Sequence, residues 1–349
     1  MTTGCKIESI GVKLPFRSVT TAEIMGRLGI SVPLRLELIT GIARRWVCGD
    51  GEDSLTLAID AARDCFLHSH IKPEEIEMVI SCSISKYVNG LNHCYEPPLS
   101  ALLKKEMGCP RALSFDISNA CAGMITGLHI ANNFISGGVV SNCLVVSGEY
   151  ITSISNNAER TVDAPGHPEM ASLTVGDAGA AVILSRAVKE QERIRHSELI
   201  TLSRYSDLCT GNQDPVFAGA TMRTNMQKIH EVSILHAPQF IDEALKKIGW
   251  TMKEIDFLIP HQTAKLSIEA GAQSFARYFG ELPGEILVNL KENGNTASTT
   301  HFVTLYKNLQ EKRFKEGDKV MLLSFASGLV IGIALFTMNG MIKNYGDGH

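Results

Sequence analysis

A chain of 349 residues, 44% apolar and 20% charged, is long enough for two core-bearing halves or one large fused unit, and its composition is that of a globular protein, not a disordered one. Its formal charge of -4 comes with no run of lysine or arginine, which argues against nucleic acid as a partner. Nine cysteines, scattered from Cys5 to Cys209 without a CxxC pair, argue against a disulfide framework and against a zinc or other metal cluster, and favour a reducing cytoplasm.

The N-terminus shows no basic segment followed by an apolar stretch, so no signal peptide is expected. Residues 5–16 predict a first strand ending at Pro15, followed by a helix-and-turn region that brings Arg44, Arg45 and Trp46 close together in sequence. A helix then runs to Leu67 with Asp53 or Ser54 as its cap. Residues 75–83 suit a strand buried on both faces, and residues 97–107 a helix with proline in its first turn. Residues 113–117 form an apolar strand, and after a polar turn at Ser118 and Asn119 a helix opens at Cys121, with Met124, Ile125, Leu128, Ala131 and Ile135 on its apolar face. Another buried strand covers 142–147, a long polar loop 153–172, and a strand 178–184. The polar run at 190–195 reads as a solvated connection. The second half repeats the grammar: a helix through Ile241 and Ala244, a strand at 252–259, a helix at 265–279, a strand at 286–289, a helix at 299–310, and strands at 319–324 and 329–338. The last of these is the longest apolar run, too short and too interrupted by glycine to span a bilayer. Strands alternating with helices in both halves imply a layered α/β architecture with apolar sheets shielded by helices.

Cys121 at a helix start has unpaired N–H groups in front of it and the positive end of the helix beneath it, both of which favour a thiolate, and Ala122 and Gly123 leave space for a substrate. A buried structural cysteine is the competing reading. His261 follows the strand ending at Pro260, where sites form in α/β proteins, although a histidine there also serves simply to tie a loop. Asn295, in ENGNTASTT, carries turn chemistry as readily as catalysis. The turn Phe325, Ala326, Ser327 and Gly328 joins the last two strands and is placed to present backbone N–H groups to an oxyanion.

Taken together, DISNACAGMITGL, VGDAGAAVIL, IPHQTA, NGNTAS and SFASGLVIGIAL resemble the thiolase-fold condensing enzymes, specifically the β-ketoacyl-acyl-carrier-protein synthase III branch, over essentially the whole chain. The resemblance implies two similar βαβαβαββ halves, 1–190 carrying the nucleophile and 191–349 carrying His and Asn, in a five-layered αβαβα stack that pairs as a homodimer. It implies a catalytic triad of Cys121, His261 and Asn295. Cys121 takes an acyl group from coenzyme A or a protein-borne phosphopantetheine, and His261 and Asn295 support an enolate by hydrogen bonding. No tightly bound cofactor, no metal and no membrane are implied; an acyl-carrier protein is the expected partner. The chain departs from the priming synthases in three places. Arg35 and Ile39 stand at the positions of a tryptophan and an arginine that often grip coenzyme A, and Ala264 replaces an asparagine, so a different basic set, Arg35, Arg44, Arg45 and Lys265, is left to meet phosphates, with solvated or internally paired roles as the alternative. Glu96, in HCYEPP, stands where an aromatic residue is usual and is similar to the glutamate of head-to-head acyl condensing and pyrone- or resorcinol-forming enzymes, which reaches into the partner's site to remove an α-proton. A carboxylate desolvated in an apolar tunnel is a stronger base; a residue that simply caps or solvates the helix start is the alternative.

Overall fold

The computed structural model describes residues 4–28 and 35–346, so 29–34 of the predicted helix-and-turn region lie outside the described residues. Sixteen elements carry the architecture. The first eight are β1 (Gly4–Lys13), α1 (Ser54–Leu67), β2 (Met78–Ser81), α2 (Leu99–Met107), β3 (Leu113–Asp116), α3 (Gly123–Ser136), β4 (Asn142–Glu149) and β5 (Ala178–Ala187). The same alternation then recurs as β6 (Ile194–Thr201), α4 (Met226–Ile248), β7 (Phe257–Pro260), α5 (Lys265–Phe279), β8 (Glu285–Ile286), α6 (Thr300–Gln310), β9 (Lys319–Ala326) and β10 (Val330–Thr337).

One sheet has the order β1-β5-β4-β2-β3 and the other β6-β10-β9-β7-β8, so the second is the first with every number raised by five. Directions match too: the first two pairings of each sheet are antiparallel and the last two parallel. Even the irregularity repeats, a register shift between Ile7 and Ser9 in β1 and between Ile194 and His196 in β6.

Alternation along the strands explains the layering. Met78 and Ile80 of β2 join Ile259, Val320 and Leu322 of the other sheet in a core filled by Met124, Ile125 and Leu128 of α3 and by Phe302 and Leu305 of α6. Val79, Leu144 and Val146 face the other way onto Ala58 and Ala61 of α1 and Leu103 of α2. Met321, Leu323, Ile331 and Ile333 likewise pack under Phe240 and Ile241 of α4 and Phe275 of α5. The result is the five-layered αβαβα stack of the thiolase-like fold. α1 is capped by Asp53, whose side chain accepts from the Thr56 N–H, and it lies directly on β4 and β5: a Cβ at Gly148 would stand 1.9 Å from the Ser54 carbonyl oxygen.

Three expectations are corrected. Residues 153–161 are helical (Ser153–Thr161), not loop, because Ile154 and Ala158 bury against separate apolar clusters, and Asn157 Nδ2 donates to the Ala218 and Ala220 carbonyls at 3.1 Å each. Tertiary burial overrides a polar, weakly periodic sequence. The strand expected at 286–289 is only Glu285–Ile286, because the chain bends where Asn289 N–H donates to Gln262 Oε1 at 3.0 Å. The run at 190–195 is not wholly a solvated connection, since Ile194 already opens β6 and is buried.

Candidate active site

The segments that follow β3, β7, β8 and β9 converge on one cavity. The chain leaving β3 makes a 3-10 turn, Ala120–Ala122, before α3 begins, so Cys121 sits half-buried on that turn and not in the helix proper. Ala120 has φ 45°, a left-handed conformation that costs alanine about 1–2 kcal/mol and is held by packing of Ala122 on Ala326 and Val330. The Ser324 hydroxyl donates to the Cys121 carbonyl at 3.3 Å, tying the turn to β9. Gly123 is required here by close approach, a Cβ lying 2.7 Å from the Cys82 carbonyl oxygen.

His261 continues β7 by one residue, its N–H donating to the Leu323 carbonyl of β9 at 2.8 Å. The following loop is pinned by Gln262, whose Nε2 donates to the Pro260 and Leu287 carbonyls at 2.8 and 3.2 Å. The imidazole is buried, 4% exposed, and burial together with neighbouring His301 lowers its pKa from 6.5 to about 3, so it is neutral throughout the physiological range. Its Nδ1 is sealed with no hydrogen-bonding partner, which leaves Nε2 as the ring nitrogen open to the cavity. Asn295 is fixed through its backbone to the segment before β5, donating to the Thr174 carbonyl and accepting from Gly176 N–H, each at 2.9 Å. Its Oδ1 accepts from Ala297 N–H at 3.0 Å, so Nδ2 is the group left to donate outward.

Cys121, His261 and Asn295, with Phe325, Ala326 and Ser327 of the β9–β10 turn, line one cavity of about 460 Å³. Gly328 completes that turn with φ 131°. The remaining walls are mostly apolar, from Leu36 and Ile39 past Met222 and Met226 to Ile234, Leu258 and Phe275. The volume lies within the roughly 300–1,000 Å³ typical of small-molecule sites.

Electrostatics modify one expectation. Burial pushes the Cys121 thiol well above its ordinary value, with Cys209 and Glu149 adding to the effect, so desolvation outweighs the helix start and the thiol is the resting form. Glu149 ends β4 and is not among the residues lining the cavity. Fully buried, it accepts from Ile84 N–H at 3.0 Å, from Ser85 N–H at 3.1 Å and from the Ser85, Ser147 and Ser298 hydroxyls, bracing the loop that carries Asn295.

The basic residues divide. Arg35 precedes the short helix Leu36–Thr40 and is exposed beside cavity-lining Leu36. Lys265 opens α5 between cavity-lining Ala264 and Leu266, and a Cβ at Gly41 would stand 2.9 Å from Lys265 Cβ, so the two helix ends meet at the mouth. Arg44 is exposed but paired with Glu292 at 2.6 Å. Arg45 does not join the mouth: it is 1% exposed and donates to the Leu173 carbonyl and the Thr21 hydroxyl at 2.8 Å each. Glu96 is exposed and is not among the residues lining the cavity. Of the alternative roles, capping is not met, because Asp116 is the carboxylate that accepts from Leu99 and Ser100 N–H, at 3.2 and 2.9 Å, whereas the exposure of Glu96 agrees with a side chain that solvates the helix start.

Sequence reasoning missed the hairpin Cys209–Gln213 and Ala220–Thr224, which places Cys209 and Met222 on the cavity wall, and it gave no role to His301, buried with its ring centroid 5.8 Å from that of His261. Neither carries a motif; both are positioned by tertiary packing.

Models of 3-oxoacyl-[acyl-carrier-protein (ACP)] synthase III match residues 115–203, and of its C-terminal region residues 245–338, which between them hold the triad. The chain belongs to the β-ketoacyl-acyl-carrier-protein synthase III-like family of condensing acyltransferases. Among its relatives, the β-ketoacyl-[acyl-carrier-protein] synthase III of Symbiobacterium thermophilum is 27% identical over 335 residues, 93% of this chain and 96% of that protein. The acyl-CoA:acyl-CoA alkyltransferase of Xanthomonas campestris is 26% identical over 317 residues, covering 88% and 89%. In fold, this synthase III-like chain superposes on a cysteine-to-serine variant of Xanthomonas campestris OleA with bound lauric acid and lauroyl-CoA at a TM-score of 0.85, with 24% identity and coverage of 97% and 100%. FabH of Xanthomonas oryzae gives 0.84, with 24% identity and coverage of 96% and 99%. Among the described residues no helix is long and apolar enough to cross a membrane, and no group of three or more side chains is arranged to hold a metal ion.

Proposed function

We propose that this condensing enzyme joins a Cys121-bound acyl group to a β-ketoacyl or second acyl thioester in specialised-metabolite, polyketide-like biosynthesis, with Glu96 of one protomer serving the cavity of its partner in a homodimer. The observation that carries the reading is a mostly apolar cavity with the thiol, a neutral imidazole and an outward-facing amide at its wall. In the acylation step the Cys121 sulfur attacks the thioester carbonyl, the oxyanion is met by backbone N–H groups of Cys121 and of the Phe325–Gly328 turn, the thiol proton passes to the leaving sulfur, and the first thiol departs. His261 Nε2–H and Asn295 Nδ2 then donate to the acceptor's carbonyl oxygen while its α-proton moves to Glu96. The resulting carbanion attacks the acyl carbonyl, forming the carbon–carbon bond and expelling the Cys121 thiolate, which recovers a proton. Coenzyme A and protein-borne phosphopantetheine both present the thioester this chemistry needs, and Arg35 and Lys265, each next in sequence to a cavity-lining residue, are the cations assigned to their phosphates, with an acyl-carrier protein as the expected partner. The unit of duplication is taken as 1–190 and 191–349.

Support for a partner-facing Glu96 comes from its exposure beside Tyr95, an aromatic side chain that is 76% exposed. OleA, similar in fold, has itself been solved with a glutamate changed to alanine, glutamine and aspartate. The second reading, priming of fatty acid synthesis by decarboxylating a malonyl-carrier protein, is favoured by the synthase III name of most relatives. Glu96→Gln separates the two. On the proposed reading the variant is acylated normally but loses turnover with non-carboxylated acceptors while keeping malonyl condensation; unchanged turnover with the non-carboxylated acceptor removes the base role.

A further inference from the structure

The carbonyl of Leu323, in β9, is where two segments of the site meet. It accepts the backbone N–H of His261 at 2.8 Å and, at 3.0 Å, the Nε2–H of His301, the second residue of α6. A carbonyl can only accept, so the proton of that neutral imidazole sits on Nε2. His301 follows Asn295 across the 3-10 turn Ala297–Thr299, in which Ala297 has φ 53°, a left-handed conformation that alanine keeps only where its surroundings fix it. The side chain of His301 thus fastens the segment that carries Asn295 to the strand end that carries His261. The next residue of β9, Ser324, makes a separate tie, to the Cys121 carbonyl.

A histidine here is not the least costly way to fill the space. His301 is fully buried and its Nδ1 is sealed without a hydrogen-bonding partner, whereas phenylalanine would bring a ring of similar size and no buried nitrogen. Ion pairing does not account for it, since among the described residues the ring bonds to a carbonyl and to no carboxylate. Its ring centroid lies 5.8 Å from that of His261, with the planes 30° apart. What phenylalanine lacks at this place is the donor.

We propose that His301 is a positioning residue: by donating to the Leu323 carbonyl it holds His261 Nε2 and Asn295 Nδ2 at the spacing that lets both donate to one enolate oxygen. This rests on the reading of His261 and Asn295 as the enolate donors. Preorganised donors lose their effect when they are misplaced, and a shift of about 1 Å costs up to about 100-fold in rate. Acylation of Cys121 does not use that spacing, because its turn is tied to β9 through Ser324. Removal of the His301 donor therefore falls on condensation and spares acylation, and it lowers kcat more than it raises the acceptor's KM.

The test compares intact wild type with His301→Phe, which keeps a ring and removes the donor, with His301→Gln, whose side-chain amide is long enough to donate to the same carbonyl, and with His261→Ala. Acyl-enzyme formation from decanoyl-coenzyme A is followed by intact mass. Condensation is followed by product mass with whichever of decanoyl-, 3-oxodecanoyl- and malonyl-coenzyme A the wild type turns over fastest, at a temperature where circular dichroism shows every protein folded. The expected result is acylation of His301→Phe within about twofold of wild type, a loss of at least about tenfold in its condensation kcat with little change in KM, and recovery of most of that loss in His301→Gln. Condensation by His301→Phe at the wild-type rate, an equal loss in both half-reactions, or a His301→Gln no better than His301→Phe overturns the positioning role, while an inactive His261→Ala keeps the donor reading standing. Condensation by His261→Ala at the wild-type rate, or an acylated wild type that condenses with none of the three acceptors, overturns the donor reading and the proposal with it. His301→Leu, which also removes the donor, answers the same question if His301→Phe does not fold.

Discussion

Replacing His301 by phenylalanine gives a change of stability whose sign depends on pH. His301 is fully buried, its Nε2 donates to the Leu323 carbonyl at 3.0 Å, and burial lowers its pKa from 6.5 to about 4. A base whose folded pKa is depressed binds its proton in the unfolded chain first, so stability is lost as pH falls below about 6.5 and continues to be lost down to about 4. By about pH 5 the cost is about 2 kcal/mol for His301, and His261, lowered to about 3, adds a similar amount. Asp177, buried and raised to about 6, and Glu149, also raised, run the other way: each favours the folded state more as pH falls. These acids are common to both proteins and cancel in the difference. His301→Phe keeps a ring of similar size and loses one hydrogen bond worth about 1 kcal/mol, while the Leu323 carbonyl still accepts from His261 N–H at 2.8 Å. The variant is therefore less stable than wild type by about 1 kcal/mol at neutral pH and more stable by about 1 kcal/mol near pH 5. Urea unfolding of both proteins at half-unit intervals from about pH 7.5 to about pH 5 measures this. Stability curves that stay parallel across that range would refute the reasoning.

Gly148→Ala forces a Cβ to within 1.9 Å of the Ser54 carbonyl oxygen, backbone against backbone, and is expected to cost at least about 3 kcal/mol or abolish folding; a melting temperature within a few degrees of wild type contradicts the packing of α1 on the sheet. Charge reversal at Arg35 and Lys265 together raises KM for coenzyme A donors about fivefold at low salt, leaves kcat near wild type, and fades as salt is added; an effect indifferent to salt places the phosphates elsewhere.

Much of the fold was legible because strong periodicity and end signals agree. The helix expected at 265–279 is found at Lys265–Phe279, and of the two caps expected for α1, Asp53 is the one that caps it. The duplication was faint in sequence because only the pattern of burial repeats, whereas in three dimensions the strand orders coincide. What was not legible depends on distant partners. Residues 153–161 read as loop because their burial comes from clusters assembled by other segments. Arg45 looked like a surface cation but neighbours Arg44 on a strand, where successive side chains face opposite ways: Arg44 turns out to Glu292 while Arg45 turns in to Thr21. The site loops were placed by their positions after strands, yet the cavity wall shared by α4, α5 and β7 brings together Ser233, Ala237, Leu258, Ala272 and Phe275, which no local motif announces.

The central claim, that Cys121 carries the acyl group, is tested most directly by intact-protein mass spectrometry of wild type and Cys121→Ala after exposure to acyl-coenzyme A and acyl-carrier-protein donors. The account predicts a single acyl mass gain on the wild type, its loss on chase with an acceptor thioester, and no gain on the variant. An equal gain on Cys121→Ala, or none on folded wild type with any donor, contradicts it.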